Sequence, residues 1–506
     1  MVKWGVGVAS TRVKVGPAYI GPVPHPAVGI RIPEILLEGI LDAFKERRVA
    51  GGLMLSFGRE TAPEYVIEAP PGVYEITMGH TGTSIKKYMT AAAEASFKKG
   101  VLVEIEADHL TVAPSSIAAV RRIYGGREWA VMSREEVEKS LEYIRSEVDE
   151  AVSTSYVNFY TIDTCSLINY AADKLPREEV RKEFWEVVED GEEVLKRYIG
   201  REFVCIGELG VPYLYRFSEE DVMRLYLKYY RSIEVTAEIH RYIKSKMGKP
   251  FGVEIAFDET PVLTRGEDML FYLRELWERG IRPDFIAPNI GFEKRKDYRG
   301  DLEELKERVD ELAAISRSFG ALLSIHSGSG STPYSGKGPG VYEALRKATG
   351  GLLKYKISGV YIELLFEILA SYPEGSRQRS LFNMIFDEVY KFIRRELEEH
   401  GPLDSPELRE KVRTYEDEVA RGVRRERDPR SDMFRYYSFI ALNLRDSSGG
   451  RYLREALVKL YEEDEEFRKR YYQEVKALTL RLIDGLHFEN NIVIAEKWLD
   501  RLASSS

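Results

Sequence analysis

Seven histidines are spread along the chain, and three of them, His80, His109 and His326, each close a short apolar run. An imidazole placed there can ligate a metal or move a proton near neutral pH. Carboxylates gather at comparable places: Asp108 beside His109, Asp163 closing FYTID, and Asp258-Glu259 closing GVEIAFDE. In three further runs the same place is taken by Asn289, by His326 followed by Ser327, and by Lys356 with Ser358. Like charges collected at one poorly solvated rim repel unless a cation joins them. A mixed His/carboxylate set without thiolates suits Zn²⁺, Mn²⁺, Co²⁺, Ni²⁺ or Fe²⁺. His240, in a helical stretch, and His400, at a helix end, are read as structural or solvated, and His25 and His487 lie in loops with no spacing signal.

Such a rim needs elements that end together. Eight strand-like runs are expected: Gly52–Gly58, Val73–His80, Leu102–His109, Phe159–Cys165, Gly252–Glu259, Phe285–Ile290, Leu322–Gly328 and Tyr355–Val360. Helical patterns separate them, including Pro33–Arg47, Ile85–Lys99, Ser115–Tyr124, Ser133–Val152, Ser218–Met247, Gly266–Gly280, Leu302–Gly320 and Val341–Thr349. Alternating strands and helices indicate a parallel α/β fold, and eight is the count that closes a (β/α)8 barrel of the TIM type. A doubly wound sheet would call for a GxGxxG turn after its first strand, and none is present. In Leu102–His109 the acidic Glu104, Glu106 and Asp108 fall on one face and Val103, Ile105 and Ala107 on the other. In a barrel the apolar face meets the helices and the polar face points inward.

Residues 1–50 are expected to lead into the barrel, 51–360 to form it, and 361–506 to add an all-α region packed against it. With 74 basic and 83 acidic side chains the chain carries −9, and it has no Lys/Arg block, which argues against nucleic-acid binding through phosphate neutralisation. No run approaches the length of a membrane span, and no signal peptide is recognisable at the start. The two cysteines, Cys165 and Cys205, lack CxxC spacing, so the cytoplasm is the default compartment. The abundance of Glu, Lys, Arg and Tyr is compatible with a thermophile. Two further segments look suggestive. HSGSGSTPYSGKGPG, from His326, contains Gly336-Lys337 but lacks the spacing of a phosphate-binding P-loop, although its amides and Ser327, Ser329 and Ser331 could serve a sugar or phosphate. The basic run Arg421–Arg427 reads as a solvated helix end.

These motifs resemble the metal-dependent tagaturonate epimerases, a family that includes members described as tagatose (fructose) 4-epimerases. The resemblance rests on EADH at Glu106–His109, FYTID at Phe159–Asp163, FDET at Phe257–Thr260 and SIHSGS at Ser324–Ser329. It continues in ATGG at Ala348–Gly351 and KYKISG at Lys354–Gly359. It implies a (β/α)8 isomerase that inverts C4 of a ketohexose or ketohexuronate, D-tagatose/D-fructose or D-tagaturonate/D-fructuronate. The chain departs from the family's HSGSDKF after the seventh strand, losing an acidic-basic pair. A neutral ketohexose is therefore expected to be turned over alongside or instead of the uronate, with Lys337 and Lys356 as the cations available to a C6 carboxylate.

Within that reading the preferred metal ligands are His109, Glu259 and His326, with Asp258 the close competitor of Glu259 because alternation points it inward. The metal is expected to be Zn, Mn, Ni or Co. Asp163 and Asp258 are the expected acid/base pair, and Asp163 is also a candidate fourth ligand. Glu106, Asp108, His80, Asn289, Ser327 and Lys356 are expected to hold the sugar. C4 of a 2-ketose is not acidified by the C2 carbonyl, so cleavage and re-formation of C3–C4 is the easier route. A class II-type aldolase, an aldose–ketose isomerase and a non-catalytic sugar-binding barrel are the alternatives.

Overall fold

The computed structural model describes residues 14–123 and 132–505; residues 1–13, 124–131 and 506, including Tyr124 at the end of one expected helix, lie outside the described residues. Eight parallel strands close on themselves: β1 (His25–Gly29), β2 (Gly51–Ser56), β3 (Leu102–Thr111), β4 (Phe159–Asp163), β5 (Gly252–Ala256), β6 (Phe285–Ala287), β7 (Leu322–Ile325) and β8 (Leu353–Ile357). Closure is made by β8 against β1, with Lys354 opposite His25 and Lys356 opposite Ala27. Helices α1 (Pro33–Arg47), α2 (Ile85–Lys99), α3 (Arg134–Ser153), α4 (Glu219–Lys246), α5 (Gly266–Glu278), α6 (Leu302–Ser318) and α7 (Val341–Thr349) cover the outside. The architecture is the expected (β/α)8 barrel.

One strand differs. Residues 73–80 form turns, and the first strand is His25–Gly29, inside the stretch expected only to lead into the barrel. Val73-Tyr74-Glu75-Ile76-Thr77 alternates like a strand, but Pro70-Pro71-Gly72 precedes it and Val73 is 58% exposed, so its apolar face has no sheet to cover. His25-Pro26-Ala27-Val28-Gly29 reads as a loop because Pro and Gly disfavour strands. All five residues are nonetheless buried, because the barrel needs an eighth strand between β8 and β2.

After β8 the chain is helical, in α8 (Val360–Ala370), α9 (Arg377–Glu398), α10 (Pro406–Ala420), α11 (Asp432–Tyr437), α12 (Tyr452–Glu463), α13 (Glu465–Leu486) and α14 (Ile492–Ser505), apart from one short turn of helix at Ile440–Asn443. These helices pack on the barrel at both ends. Around the mouth, Arg435 donates to the carbonyls of Arg295 and Gly330, and Tyr436 donates to that of Lys294. At the opposite end Asn491 donates to the carbonyls of Pro24 and Ala50, and Ala495 joins Ile20, Val23, Ala50 and Leu102 in an apolar plug. No helix among the described residues is long and apolar enough to cross a membrane.

Candidate active site at the barrel mouth

The C-terminal ends of the strands are where barrel enzymes build their sites. His109 reaches this place through an irregularity. Strand β3 slips register against β4 between Ala107 and Leu110, and His109 adopts a left-handed φ of 50°. A bulge of this kind re-aims side chains. Here both neighbours, Asp108 and His109, line the same cavity, which regular alternation forbids. Asp258 and His326 lie just past the ends of β5 and β7 and line it too.

His109, Asp258 and His326 offer ligand atoms that all lie within 4.8 Å of one another. The two imidazole rings stand 4.9 Å apart. Each histidine is held from behind by a carboxylate. His109 Nδ1 lies 3.2 Å from Asp163 Oδ2, and His326 Nε2 lies 2.6 Å from Glu254 Oε1. These contacts leave His109 Nε2 and His326 Nδ1 facing the cavity, the arrangement in which carboxylate-oriented histidines bind metal. His326 Nδ1 is 3.1 Å from Asp258 Oδ1, an ion pair when the imidazole is protonated. Two ligand atoms pointing at one another in this way fit a shared cation, and the donor set suits a first-row divalent ion.

The expected residues thus separate into layers. Asp108 is fixed by Ser56 Oγ at 2.8 Å and Lys356 Nζ at 2.6 Å, and Lys356 also contacts Glu254 at 2.7 Å and Thr161 at 2.9 Å. Burial works to raise Asp108, but Lys356 holds it well below the usual carboxylate range. Asp163, fully buried, accepts from the Cys165 amide at 3.1 Å and backs His109. Glu259 shares a second group of ligand atoms with His109 and Asp163, and it carries two cations, Arg59 and Lys294, each at 2.8 Å. His80 and Ser327 line the cavity. Glu106 lies deeper, bonded to Lys354 at 2.7 Å. Asn289 is spent on the loops, donating to the Thr260 carbonyl and accepting from the Gly291 amide. Lys337 is not among the residues lining the cavity and donates to the carbonyls of Glu293 and Lys296.

A group of cations at the mouth belongs to no motif in the sequence. Arg31, Arg59, Lys294 and Arg295 line the cavity together with Glu60. Arg31 follows the unrecognised β1, and Arg59-Glu60 follows β2, so their positions at strand ends were the available signal. Arg31 and Arg295 converge over Gly359, where an added Cβ would stand 3.5 Å from Arg31 Nη1 and 3.1 Å from Arg295 Nη2. Arg31 is paired with Glu60 at 2.8 Å and Arg295 with Glu363 at 3.2 Å, each through Nε, and Arg295 Nη1 is buried without a hydrogen-bond partner among the described residues. Burial, reinforced by Arg31, Arg59 and Arg295, keeps His80 neutral, with its pKa well below the usual imidazole range.

Fold and mouth together define a (β/α)8 barrel with a candidate metal-binding cluster at the C-terminal ends of its strands. A family model described as tagaturonate epimerase matches residues 142–481, more than half of the chain. The chain belongs to the tagaturonate epimerase family. Among solved structures it is similar to native fructuronate-tagaturonate epimerase UxaE from Cohnella laeviribosi, with 19% identity, 94% of this chain and 83% of that chain covered, and a TM-score of 0.64. The one-glycerol complex of the same enzyme gives 20% identity, coverage of 93% and 83%, and a TM-score of 0.64. No curated protein matches.

Proposed function

We propose that the enzyme inverts C4 of a ketohexuronate, interconverting tagaturonate and fructuronate, with a divalent metal held by His109, Asp258 and His326. The observation that carries this reading is the pair of carboxylate-backed histidines whose remaining nitrogens converge with Asp258 on one point. Asp258 takes the place first given to Glu259, because Glu259 is already held by Arg59 and Lys294. When bound, the metal supplies Lewis-acid stabilisation to the ketone-bearing end of the sugar as C3–C4 breaks and re-forms.

The protein's own groups do the rest. Asp108, ionised and fixed by Ser56 and Lys356, is the acceptor for the C4-hydroxyl proton. Lys356 offers a fixed positive charge beside oxygens that become anionic on cleavage. Arg295, with Arg31 beside it, holds the C6 carboxylate, a pairing suited to the planar fork of guanidinium. Asp163 and Glu254 orient the two histidines. The loop after His326 contributes Ser327 and Ser329 to the cavity. Its lost acidic-basic pair is offset by cations from other strand ends, so the uronate is the preferred substrate and a neutral ketohexose the slower one.

The test is incubation with D-fructuronate, D-tagaturonate, D-fructose and D-tagatose plus Mn²⁺, Ni²⁺ or Zn²⁺, followed by chromatography. Full activity in thoroughly metal-free protein would sink the metal assignment. In deuterium oxide the C4 hydrogen should stay on its carbon; stoichiometric deuterium at C4 would rule out cleavage and favour direct deprotonation.

A further inference from the structure

A further histidine–carboxylate group lies inside the barrel, away from the mouth. His25 of β1 and Glu104 and Glu106 of β3 are completely buried, and their ligand atoms also fall within 4.8 Å of one another. His25 Nδ1 is 2.6 Å from the Val23 carbonyl, to which it donates, so Nε2 presents its lone pair to the interior. That lone pair faces Glu104 Oε2 at 3.5 Å and Glu106 Oε1 at 3.8 Å. Among the described residues no hydrogen bond reaches any of these three atoms. Three buried acceptors aimed at one point repel one another and forfeit their hydration, an arrangement that needs a cation at the centre.

The other oxygens are accounted for. Glu104 Oε1 accepts from the Ile20 amide at 3.0 Å, and Glu106 Oε2 accepts from Lys354 at 2.7 Å. Each member of the trio is thereby oriented by a group outside it, as ligands of a metal are. The spacing agrees: nitrogen and oxygen ligands at about 2.0–2.2 Å from one tetrahedral ion stand roughly 3.4 Å apart. Room is made by Gly52, where a Cβ would come within 1.8 Å of Glu106 Oε1. The apolar plug of Ile20, Val23, Ala50, Leu102 and Ala495 closes this end of the barrel.

We propose that His25, Glu104 and Glu106 form a second, structural site for a divalent first-row ion of the zinc–manganese class, sealed in the barrel and distinct from the mouth. Such an ion enters as the barrel closes and exchanges only when it opens. A proton on Glu104 is its competitor, since burial pushes that carboxyl well above the usual range.

The test uses the full-length protein produced with Zn²⁺ or Mn²⁺ in the medium. After exhaustive EDTA dialysis under native conditions, elemental analysis should find one equivalent of metal retained per chain, released only in denaturant. His326→Ala, which disables the mouth, should retain the same equivalent, so failure of the mouth assignment and failure of this one are separable. Glu104→Gln and Gly52→Ala should each lower the retained metal at least tenfold. If those variants do not fold, anomalous diffraction from the wild-type protein decides alone: a peak between His25 Nε2, Glu104 Oε2 and Glu106 Oε1 is expected. A water molecule or no density there, with no retained metal, overturns the proposal and leaves a proton shared within the cluster.

Discussion

The mouth and the interior of this barrel carry similar sets of side chains on different kinds of backbone. In the interior, Glu104 and Glu106 are two residues apart on a regular stretch of β3, and His25 sits in the paired register of β1. At the mouth, His109 stands on a bulge with φ of 50°, and Asp258 and His326 follow the ends of their strands. Regular pairing fixes a group in a layer packed on every side, which suits permanence. Irregular backbone at the strand ends turns consecutive side chains toward one cavity, which suits exchange with solvent and substrate. In both places the imidazole nitrogen that faces the centre is set by what the other nitrogen touches: Val23 for His25, Asp163 for His109 and Glu254 for His326. Residue type alone therefore does not distinguish a group that opens to a cavity from a sealed one.

The sharpest way to separate the two regions is His326→Ala. It should take epimerisation below detection while leaving the fold intact by circular dichroism. Next is Asp108→Asn, expected to lower turnover on the order of 10² to 10⁴ with mouth metal retained, the span of one acid/base group. Metal content and single-turnover kinetics check both halves of that statement. Arg295→Ala should raise KM for the uronate about tenfold to a hundredfold, the worth of a charged hydrogen bond, and barely alter any conversion of the neutral sugar. Equal losses on both sugars would remove Arg295 from carboxylate recognition.

Asp163→Asn separates orientation from proton transfer. As the group behind His109 it should weaken mouth metal by about 10- to 100-fold, with turnover recovering at high metal concentration. Turnover that stays low at saturating metal would return Asp163 to the acid/base role suggested by its position at the end of β4. The smallest effect concerns protons. Burial and Lys356 work to lower the His326 imidazolium, but Asp258 and Glu254 outweigh them and raise it to about 9. Metal binding at pH 7 must displace that proton, so uptake should release about one proton per ion and tighten as pH rises toward 9. A pH-stat titration showing no release would mean that His326 is not a ligand.

Much of the barrel was legible because seven of its strands are short apolar runs followed by helical periodicity, and burial on the helix-facing side demands that pattern. The strand that was missed, His25–Gly29, has the composition of a turn, and the false one, 73–80, has the alternation of a strand. Local propensity misled in both cases because only closure of the sheet specifies which segment is buried. In the site, His109, Asp258 and His326 were recognisable by their places at run ends. The proposed preference for Asp258 over Glu259 was not, because it rests on the pairing of Glu259 with Arg59 and Lys294, which come from distant loops. Glu254 had a visible signal, an inward acidic residue four positions before Asp258 in the same run GVEIAFDE. Arg295 had none, being a loop residue whose value lies in its approach to Arg31 over Gly359.

By itself the sequence determined the alternation of strands and helices, the acidic inner face of β3 and the residue types at the strand ends. These follow from periodicity, a property of a single chain segment. Only the tertiary structure decided which nitrogen of each histidine faces the centre, which carboxylates are already matched by cations, and which histidine–carboxylate group opens to a cavity. Those choices depend on atoms brought together from residues up to hundreds of positions apart, such as Lys356 with Asp108 and Asn491 with Ala50. They depend as well on a single bulge that turns His109 to the same side as its neighbour.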